Sequence, residues 1–161
     1  MKKLVIILSL GIFIAGCNFG QGAGSDVKPV NDPVDAKKTS DNGNPSYDPK
    51  RGLGKFTKVD VSPTLNAGMA SNGEKVYGVK CVSCHKLTGE KLVGPGWLGI
   101  TKRLTAEWIM NFVTNPDMMI DKDAEAKAQL AICLVRMPNQ NVNDDDARSL
   151  YEFMRKNDGV K

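Results

Sequence analysis

Cys81-Val82-Ser83-Cys84-His85 is the stretch of this 161-residue chain that decides its fold. Two thiols two residues apart, followed at once by an imidazole, have the spacing at which both vinyl groups of a haem bond to cysteine while histidine binds the iron. The segment therefore predicts one covalently attached haem c, held by Cys81 and Cys84, with His85 as an iron ligand.

His85 is also the only histidine in the sequence. A bis-histidine haem, a copper centre, a Cys2His2 zinc site and a histidine-based triad with a spare ligand all need more than one. The sequence excludes these sites and predicts one iron with a single imidazole ligand.

Two other interpretations of the cysteine pair stay open at this point. A thioredoxin-type redox pair has the same spacing, but it stands at the start of a helix that follows a strand, and no strand-rich run precedes Cys81. A zinc half-site would need a second cysteine pair, whereas Cys133 stands alone. Haem attachment is the interpretation that the residues favour.

The composition is that of one small globular domain with residues to spare. Hydrophobic residues make up 41% of the chain and charged residues 25%, but aromatic residues only 6%. Side chains alone would build a small core. A buried macrocycle would supply much of the remaining apolar volume.

The N-terminus has the three parts of a bacterial export signal. Met1-Lys2-Lys3 is charged, residues 4–14 are an apolar run too short for a permanent membrane-spanning helix, and Ile14-Ala15-Gly16-Cys17 resembles a lipobox. Residues 1–16 are therefore predicted to be a lipoprotein signal peptide, and Cys17 to be diacylated. The lipid would hold the protein at the periplasmic side of a bacterial membrane. An ordinary signal peptide with a chance cysteine is the alternative.

Removal of residues 1–16 takes away Lys2 and Lys3 and leaves 20 basic residues against 18 acidic ones. Two haem propionates would bring this small positive charge close to zero. A basic protein surface that attracts nucleic acid is therefore not expected.

Residues 17–65 are predicted to form a flexible tether, because they are rich in Gly, Asp, Asn, Pro, Ser and Lys and carry only scattered hydrophobic residues. A flexible chain of roughly 49 residues has an r.m.s. reach of about 35 to 42 Å. Residues 52–61 alternate apolar and polar side chains, which predicts a short extended strand lying on the domain. Residues 66–161 are predicted to be the haem domain.

Helical periodicity predicts that this domain is all-α, with about four to five helices around one haem. The first helix signals begin at Asn66, with Ser71 or Asn72 as capping residues, and the helix runs into Cys81. Later helices are predicted over residues 106–113, 121–135 and 147–156. Asn115-Pro116 ends the first of these, and an acidic cap over residues 143–146 precedes the last.

From about residue 66 to residue 158 the chain resembles the class I monohaem cytochromes c. The resemblance rests on the Cys-x-x-Cys-His segment, on Gly94-Pro95, on Met137-Pro138 and on Phe153, where the family often has an aromatic residue. It implies the small all-α fold of that family.

The same resemblance assigns roles to residues around the haem. The Pro95 carbonyl would accept the Nδ1 proton of His85, which fixes the ring and raises its basicity as a ligand. Trp97 would pack near the haem. Gly73 and Tyr77 resemble the small and aromatic pair that lets the first and last helices of the family meet closely.

Six methionines besides the initiator could supply the second axial ligand. Met137 fits best, because it lies between two predicted helices and precedes Pro138, which resembles the axial Met-Pro loop of class I cytochromes c. Met118 and Met119 are the alternative. Cys133, one turn before the loop, is expected to be a buried small hydrophobic residue, with thiolate ligation as the other option.

A haem iron held between His85 and Met137 would have a raised reduction potential and no open coordination position. The resemblance therefore implies an electron carrier and no enzyme. The alternative is a haem sensor or a peroxidase-like protein with an open or displaceable sixth position.

Residues 77–81 and 101–111 further resemble lipoprotein cytochromes found alongside nitrous-oxide reductase in some bacteria. That resemblance implies a respiratory carrier which takes single electrons from a quinol-oxidising complex or another donor and passes them to a periplasmic terminal reductase or oxidase. We expect this partner to dock at the exposed haem edge. Five basic residues are candidates for its rim: Lys80, Lys86, Lys102, Arg103 and Arg136.

Overall fold

The computed structural model describes residues 47–161, so the predicted signal peptide, Cys17 and residues 17–46 of the predicted tether lie outside the described residues. Within the described part the chain forms six helices and no strand, which confirms the all-α fold with one helix more than expected. The helices are α1 (Ala67–Lys80), α2 (Ile100–Arg103), α3 (Ala106–Thr114), α4 (Pro116–Lys122), α5 (Ala124–Cys133) and α6 (Asp144–Asn157).

Helices α1 and α6 cross at close range and form the frame of the domain. At the crossing Gly73 lies against the backbone of Ser149, where a Cβ atom would collide. Beside it the Tyr77 ring lies 5.4 Å from the Phe153 ring, centre to centre. The predicted close approach of the first and last helices is confirmed, and the small residue at position 73 is its physical reason.

Side-chain caps define where the two frame helices begin. Asn66 accepts a hydrogen bond from the Met69 N–H at 2.9 Å and starts α1. Ser71 and Asn72 lie inside the helix, so their prediction as capping residues is wrong. Asn143 caps α6 in the same way as Asn66, and three aspartates fill the first turn of α6, as predicted from the helix dipole.

Between the frame helices, the single helix predicted over residues 121–135 is replaced by two. Helix α4 starts at Pro116, a residue suited to the first helical position, and ends where Asp123 leaves the helical conformation. The buried Asp123 side chain then caps α5 by accepting from the Ala126 N–H at 2.9 Å. Leu134, with a left-handed φ of 60°, ends α5 two residues before the predicted limit.

Apolar residues at positions 124, 128, 132 and 135 share one stripe of the predicted helix, but the structure turns that stripe away from the core. Ala124, Ala128, Ile132 and Val135 are exposed, and Ile132 has 67% of its surface accessible. The inward face of α5 instead carries Ala126, Leu130 and Cys133.

The end of the predicted tether belongs to the folded domain. The boundary predicted at residue 65 therefore lies too late in the chain. Leu53, Phe56, Val59 and Val61 pack against the hydrophobic core. The segment is extended without being a strand, because its N–H groups bond to side chains; the Val59 N–H donates to Glu107 Oε1 at 2.7 Å. Burial of these apolar residues offsets the entropy of ordering them.

An ion cluster fastens the same segment to α6. The carboxylate of Glu152, which is 1% exposed, pairs with Arg155 at 2.9 Å and with Arg148 at 2.6 Å. Arg155 also donates to the carbonyl oxygens of Ser62 and Pro63 at 2.7 and 3.1 Å.

None of the helices in residues 47–161 combines the length and the apolarity that a membrane crossing requires.

Candidate haem-binding site

The segment that carries the cysteine pair is wound into a tight turn directly after α1. The Cys81 N–H donates to the Tyr77 carbonyl, and the Cys84 and His85 N–H groups both donate to the Cys81 carbonyl, at 3.0 and 2.9 Å. The Tyr77 hydroxyl donates to the His85 carbonyl at 2.7 Å and closes the turn from the other side. These bonds hold the two thiols and the imidazole close together.

The two cysteines have different surroundings. Cys81 is buried, and desolvation raises the pKa of its thiol to about 11. Cys84 is half-buried and lines the main cavity of the domain.

One hydrogen bond and one close backbone contact fix the orientation of the His85 ring. Its Nδ1 atom lies 2.9 Å from the Pro95 carbonyl oxygen, which can only accept, so the proton resides on Nδ1 and leaves Nε2 as the free electron donor. The Gly94 backbone lies against the ring, where a Cβ atom would collide. Burial lowers the pKa of His85, and this favours the neutral imidazole that a metal requires.

Trp97 packs beside this ring, and its predicted position near the haem stays a prediction. The indole is 4% exposed, and its ring centre lies 5.5 Å from His85 and 5.0 Å from Tyr77. The aromatic group thus backs the imidazole with apolar surface.

An apolar cavity with about 560 Å³ of empty space, open solvent included, extends from His85 to the surface. Its wall combines Cys84, His85 and Pro95 with Met137 and Pro138 from the loop after α5. A second cavity of about 370 Å³ shares His85, Pro95 and Met137 with the first. Their largely apolar lining includes the His85 imidazole and the Met137 thioether, and it fits a flat apolar group that takes one nitrogen and one sulfur ligand.

The helices α3, α4 and α5 complete the first cavity on the side of Met137. We call this surface the helical wall; it is formed by Phe112, Ile120, Ala126 and Leu130. Sequence reasoning placed Phe112 on a helix but did not assign these residues to the site. Helical spacing predicts which side of a helix is buried, but it does not predict what that side contacts. The sequence therefore contained only part of the information needed to assign these residues to the site.

The structure separates the candidate methionine ligands. Met137 lines both cavities together with His85. Met119 is fully buried elsewhere, where its sulfur accepts a hydrogen bond from the Leu53 N–H at 3.1 Å, and neither it nor Met118 lines these two cavities. The geometry therefore favours Met137, and iron ligation by its sulfur stays a prediction.

Cys133 is buried, as expected, and it lines the first cavity. A small, weakly polar thiol is compatible with an apolar lining.

Two of the candidate rim charges are already paired. Lys86 Nζ lies 2.8 Å from Glu90, whose pKa it lowers by hydrogen bonding. Arg136 bonds Asp117 and Asp121 at 3.0 and 2.8 Å, and these hydrogen bonds raise its pKa. These two clusters together carry two positive and three negative charges. Of the remaining candidates, Lys80 donates to the Gln140 carbonyl, and Lys102 and Arg103 are exposed.

Comparison with known proteins agrees with this site. The sequence profile of the family described as cytochrome c matches residues 70–158, which is more than half of the chain. This chain is a member of the cytochrome c family. The matched region contains the cysteine pair, His85, Pro95 and Met137.

Two solved structures are similar to this cytochrome. The cytochrome c of Rhodothermus marinus has a TM-score of 0.63 and 28% identity over 65% of this chain and 90% of its own. An engineered cytochrome c from Rhodothermus marinus has the same TM-score and coverage with 27% identity. These likenesses and the matching profile identify a class I cytochrome c.

A curated relative is the cytochrome c-type cyt cy of Rhodobacter capsulatus. It is 40% identical over 48 residues, which span 30% of this chain and about a quarter, 24%, of the relative. The match therefore leaves most of the relative's length uncompared.

Family membership gives this cytochrome a covalently bound c-type haem and electron transfer as its general activity. The haem supplies a one-electron iron couple when bound. The protein supplies the cysteine pair that holds it, a neutral imidazole aimed by Pro95 and an apolar enclosure.

Proposed function

We propose that this cytochrome is a lipid-anchored periplasmic carrier that moves single electrons through His/Met-ligated haem. In this proposal it accepts electrons from a quinol-oxidising complex or another donor. It then passes them to a terminal reductase or oxidase, with nitrous-oxide reductase as the first candidate acceptor. The observation that carries the proposal is that His85, oriented by Pro95, and Met137 line the same cavity.

A thioether in that position explains why carrying electrons suits the site. A soft sulfur ligand stabilises the reduced iron, and two protein ligands leave no coordination position for a substrate. Electron transfer then needs little rearrangement. A haem sensor or peroxidase-like protein would need the sixth position free or easily vacated.

The ligand is tested by Met137→Ala, with Met118→Ala as the matched control because Met118 lines neither cavity. Methionine ligation gives oxidised haem c a weak far-red charge-transfer band, which we expect in the wild type and the control and not in Met137→Ala. The reduced wild type should bind carbon monoxide slowly, and Met137→Ala rapidly. Rapid binding by the wild type would favour the sensor or peroxidase.

The anchor rests on the lipobox resemblance at Cys17, which lies outside the described residues. Cys17→Ser should move the cytochrome from the membrane fraction to the soluble periplasmic fraction and abolish labelling by radioactive palmitate. Unchanged membrane association in this variant would contradict the lipid anchor and leave the haem assignment untouched.

The partners are tested in native membranes. The anchored cytochrome should be reduced on quinol addition and reoxidised when the acceptor's substrate is supplied, with nitrous oxide tried first. Pull-down of the cytochrome should recover the same donor and acceptor. Carrier complexes bury little surface, below about 1,200 Å², so mild cross-linking is needed to retain them.

A further inference from the structure

Residues 51–56, which we call the strap, contact α3 and α4 at Trp108, Asn111 and Met119, next to residues of the helical wall. We infer that the strap positions this wall and thereby controls how readily Met137 is displaced from the iron. The inference rests on the proposed carrier function with Met137 as the sixth ligand. It adds a role for a segment that lies before the family match at residue 70.

Asn111 is the main connection between the strap and α3. Its side chain is fully buried, with 0% of its surface accessible. The amide nitrogen donates to the carbonyls of Arg51 and Phe56 at 2.9 and 3.0 Å, and the amide oxygen accepts from the Phe56 N–H at 3.0 Å. One carboxamide thus clamps both ends of the strap.

The strap fits closely between these ends. Gly54 lies against the Asn111 carboxamide, and Gly52 lies against Met119 and Trp108, each where a Cβ atom would collide. Both glycines have a positive φ, of 152° and 66°, which side-chain-bearing residues rarely adopt. The Leu53 N–H between them donates to the Met119 sulfur at 3.1 Å.

Each strap contact is one residue away from the cavity. Asn111 bonds the strap while Phe112 lines the cavity, and Met119 bonds the strap while Ile120 lines the cavity. Adjacent residues of a helix point about 100° apart, so the strap and the cavity contact different sides of the same two helices. Displacement of α3 or α4 would therefore move side chains that line the cavity together with Met137.

Trp108 extends this connection to α5. Its ring stacks on Phe112 with 5.1 Å between centres and 6° between planes. Its Nε1–H donates to Asp123 at 3.2 Å, and the same carboxylate caps α5. A strap in place therefore supports all three helices of the wall.

Loss of the strap contacts leaves buried polar atoms without partners, including the Asn111 carboxamide. Unsatisfied buried groups favour local opening, so α3 and α4 would open more often without global unfolding. Met137 would then leave the iron more often, because the wall that confines its loop is displaced.

The experiment compares three variants of the full-length holo-protein: Asn111→Ala, Gly54→Ala and the control Asn72→Ala. Asn72 makes carboxamide hydrogen bonds between α1 and α6 and lines neither cavity. The probe is imidazole, which binds oxidised iron only after Met137 leaves. Binding rate, far-red band, midpoint potential and amide exchange at Phe56 are recorded.

We expect imidazole to bind about tenfold faster in Asn111→Ala and in Gly54→Ala. Each variant loses the net contribution of about one hydrogen bond, and a free-energy change of that size corresponds to about a factor of ten. The midpoint potential should fall, the Phe56 amide should exchange faster, and Asn72→Ala should keep wild-type values for all of these. The double variant should show less than the product of the single effects, because both remove one contact. If Asn111→Ala yields no folded protein, Gly54→Ala, which keeps the carboxamide, decides the result.

Two results would overturn the inference, and they can be distinguished from each other. A wild type without the far-red band contradicts the proposed Met137 ligand, and the inference fails with it. A wild type with the band, and strap variants that lose stability yet bind imidazole as Asn72→Ala does, leave the carrier function intact and reduce the strap to a structural role.

Discussion

The His85 side and the Met137 side of the haem cavity are built from very different lengths of chain. On the His85 side, 15 consecutive residues from Cys81 to Pro95 carry both thiols, the imidazole and the carbonyl that orients it. On the Met137 side, the loop after α5, the helical wall and the strap come from positions between 51 and 138. The first side depends on local backbone geometry and the second on long-range packing.

This difference predicts how each side responds to change. A substitution on the His85 side should remove or displace the haem itself, because covalent bonds and a fixed ring are at stake. A substitution on the Met137 side should leave the haem attached and alter ligand exchange, as for Asn111 above. The following changes challenge that division, in order of decreasing effect.

Cys84→Ser should have the largest effect, because it removes one of two covalent bonds to the haem. Loss of a hydrogen-bond partner next to a metal ligand lowers metal affinity roughly tenfold. We expect the haem content per exported protein to fall by more than this factor in Cys84→Ser. Haem staining on denaturing gels measures it. Cys133→Ala is the control, since this thiol is also near the cavity, and equal staining of the two variants would refute the assignment.

Gly73→Ala should lower the free energy of unfolding by about 3 kcal/mol, because the new methyl group meets the Ser149 backbone at the α1–α6 crossing. Gly78→Ala, in the same helix, meets no atom and should raise it by about 0.5–1 kcal/mol through helix propensity. Denaturant unfolding of the holo-proteins measures both. Similar values for the two variants would show that the crossing tolerates a side chain.

Gly94→Ala should cost about 2 kcal/mol and tilt the His85 ring, since the methyl group overlaps the imidazole. Its control is Gly89→Ala in the same loop, where no atom lies within reach of a Cβ. Unfolding free energy and the hyperfine-shifted proton NMR signals of the His85 ring in the oxidised protein report on these effects. Unchanged His85 signals in Gly94→Ala would mean that the ring is not held from this side.

Lys86→Glu should have the smallest effect. It replaces the Lys86–Glu90 pair by two like charges, but both side chains are largely exposed and screened by salt. We expect the rate of reduction by the partner to change by less than about threefold at physiological ionic strength. A tenfold loss that disappears at high salt would instead identify Lys86 as a docking residue.

The same division explains how much of the site the sequence predicted. Cys81, Cys84 and His85 form one contiguous motif, and Pro95 and Trp97 follow within a short loop, so no tertiary knowledge was needed to group them. Met137 was proposed because Met-Pro between two helices is itself a local pattern, and its role as a ligand stays a prediction. The fold class followed from the helical periodicity around these residues.

The strap and the break between α4 and α5 could not be predicted in this way. Residues 51–56 have the composition of a linker, and their order depends on Asn111, about 55 positions later. The one available signal was Asn111, a polar residue inside an amphipathic helix, which the structure shows to be fully buried. The Asp123 side chain begins α5 as its cap, and Leu134 ends α5 with a left-handed φ; helical periodicity registers neither.

The central claim, one haem joined to Cys81 and Cys84, is tested most directly by mass spectrometry of the mature protein after trypsin digestion. Cleavage after Lys80 and Lys86 should release the peptide of residues 81–86 with the mass of one haem added and with no free thiol. Recovery of that peptide without haem, or with its two cysteines joined to each other, would contradict the account.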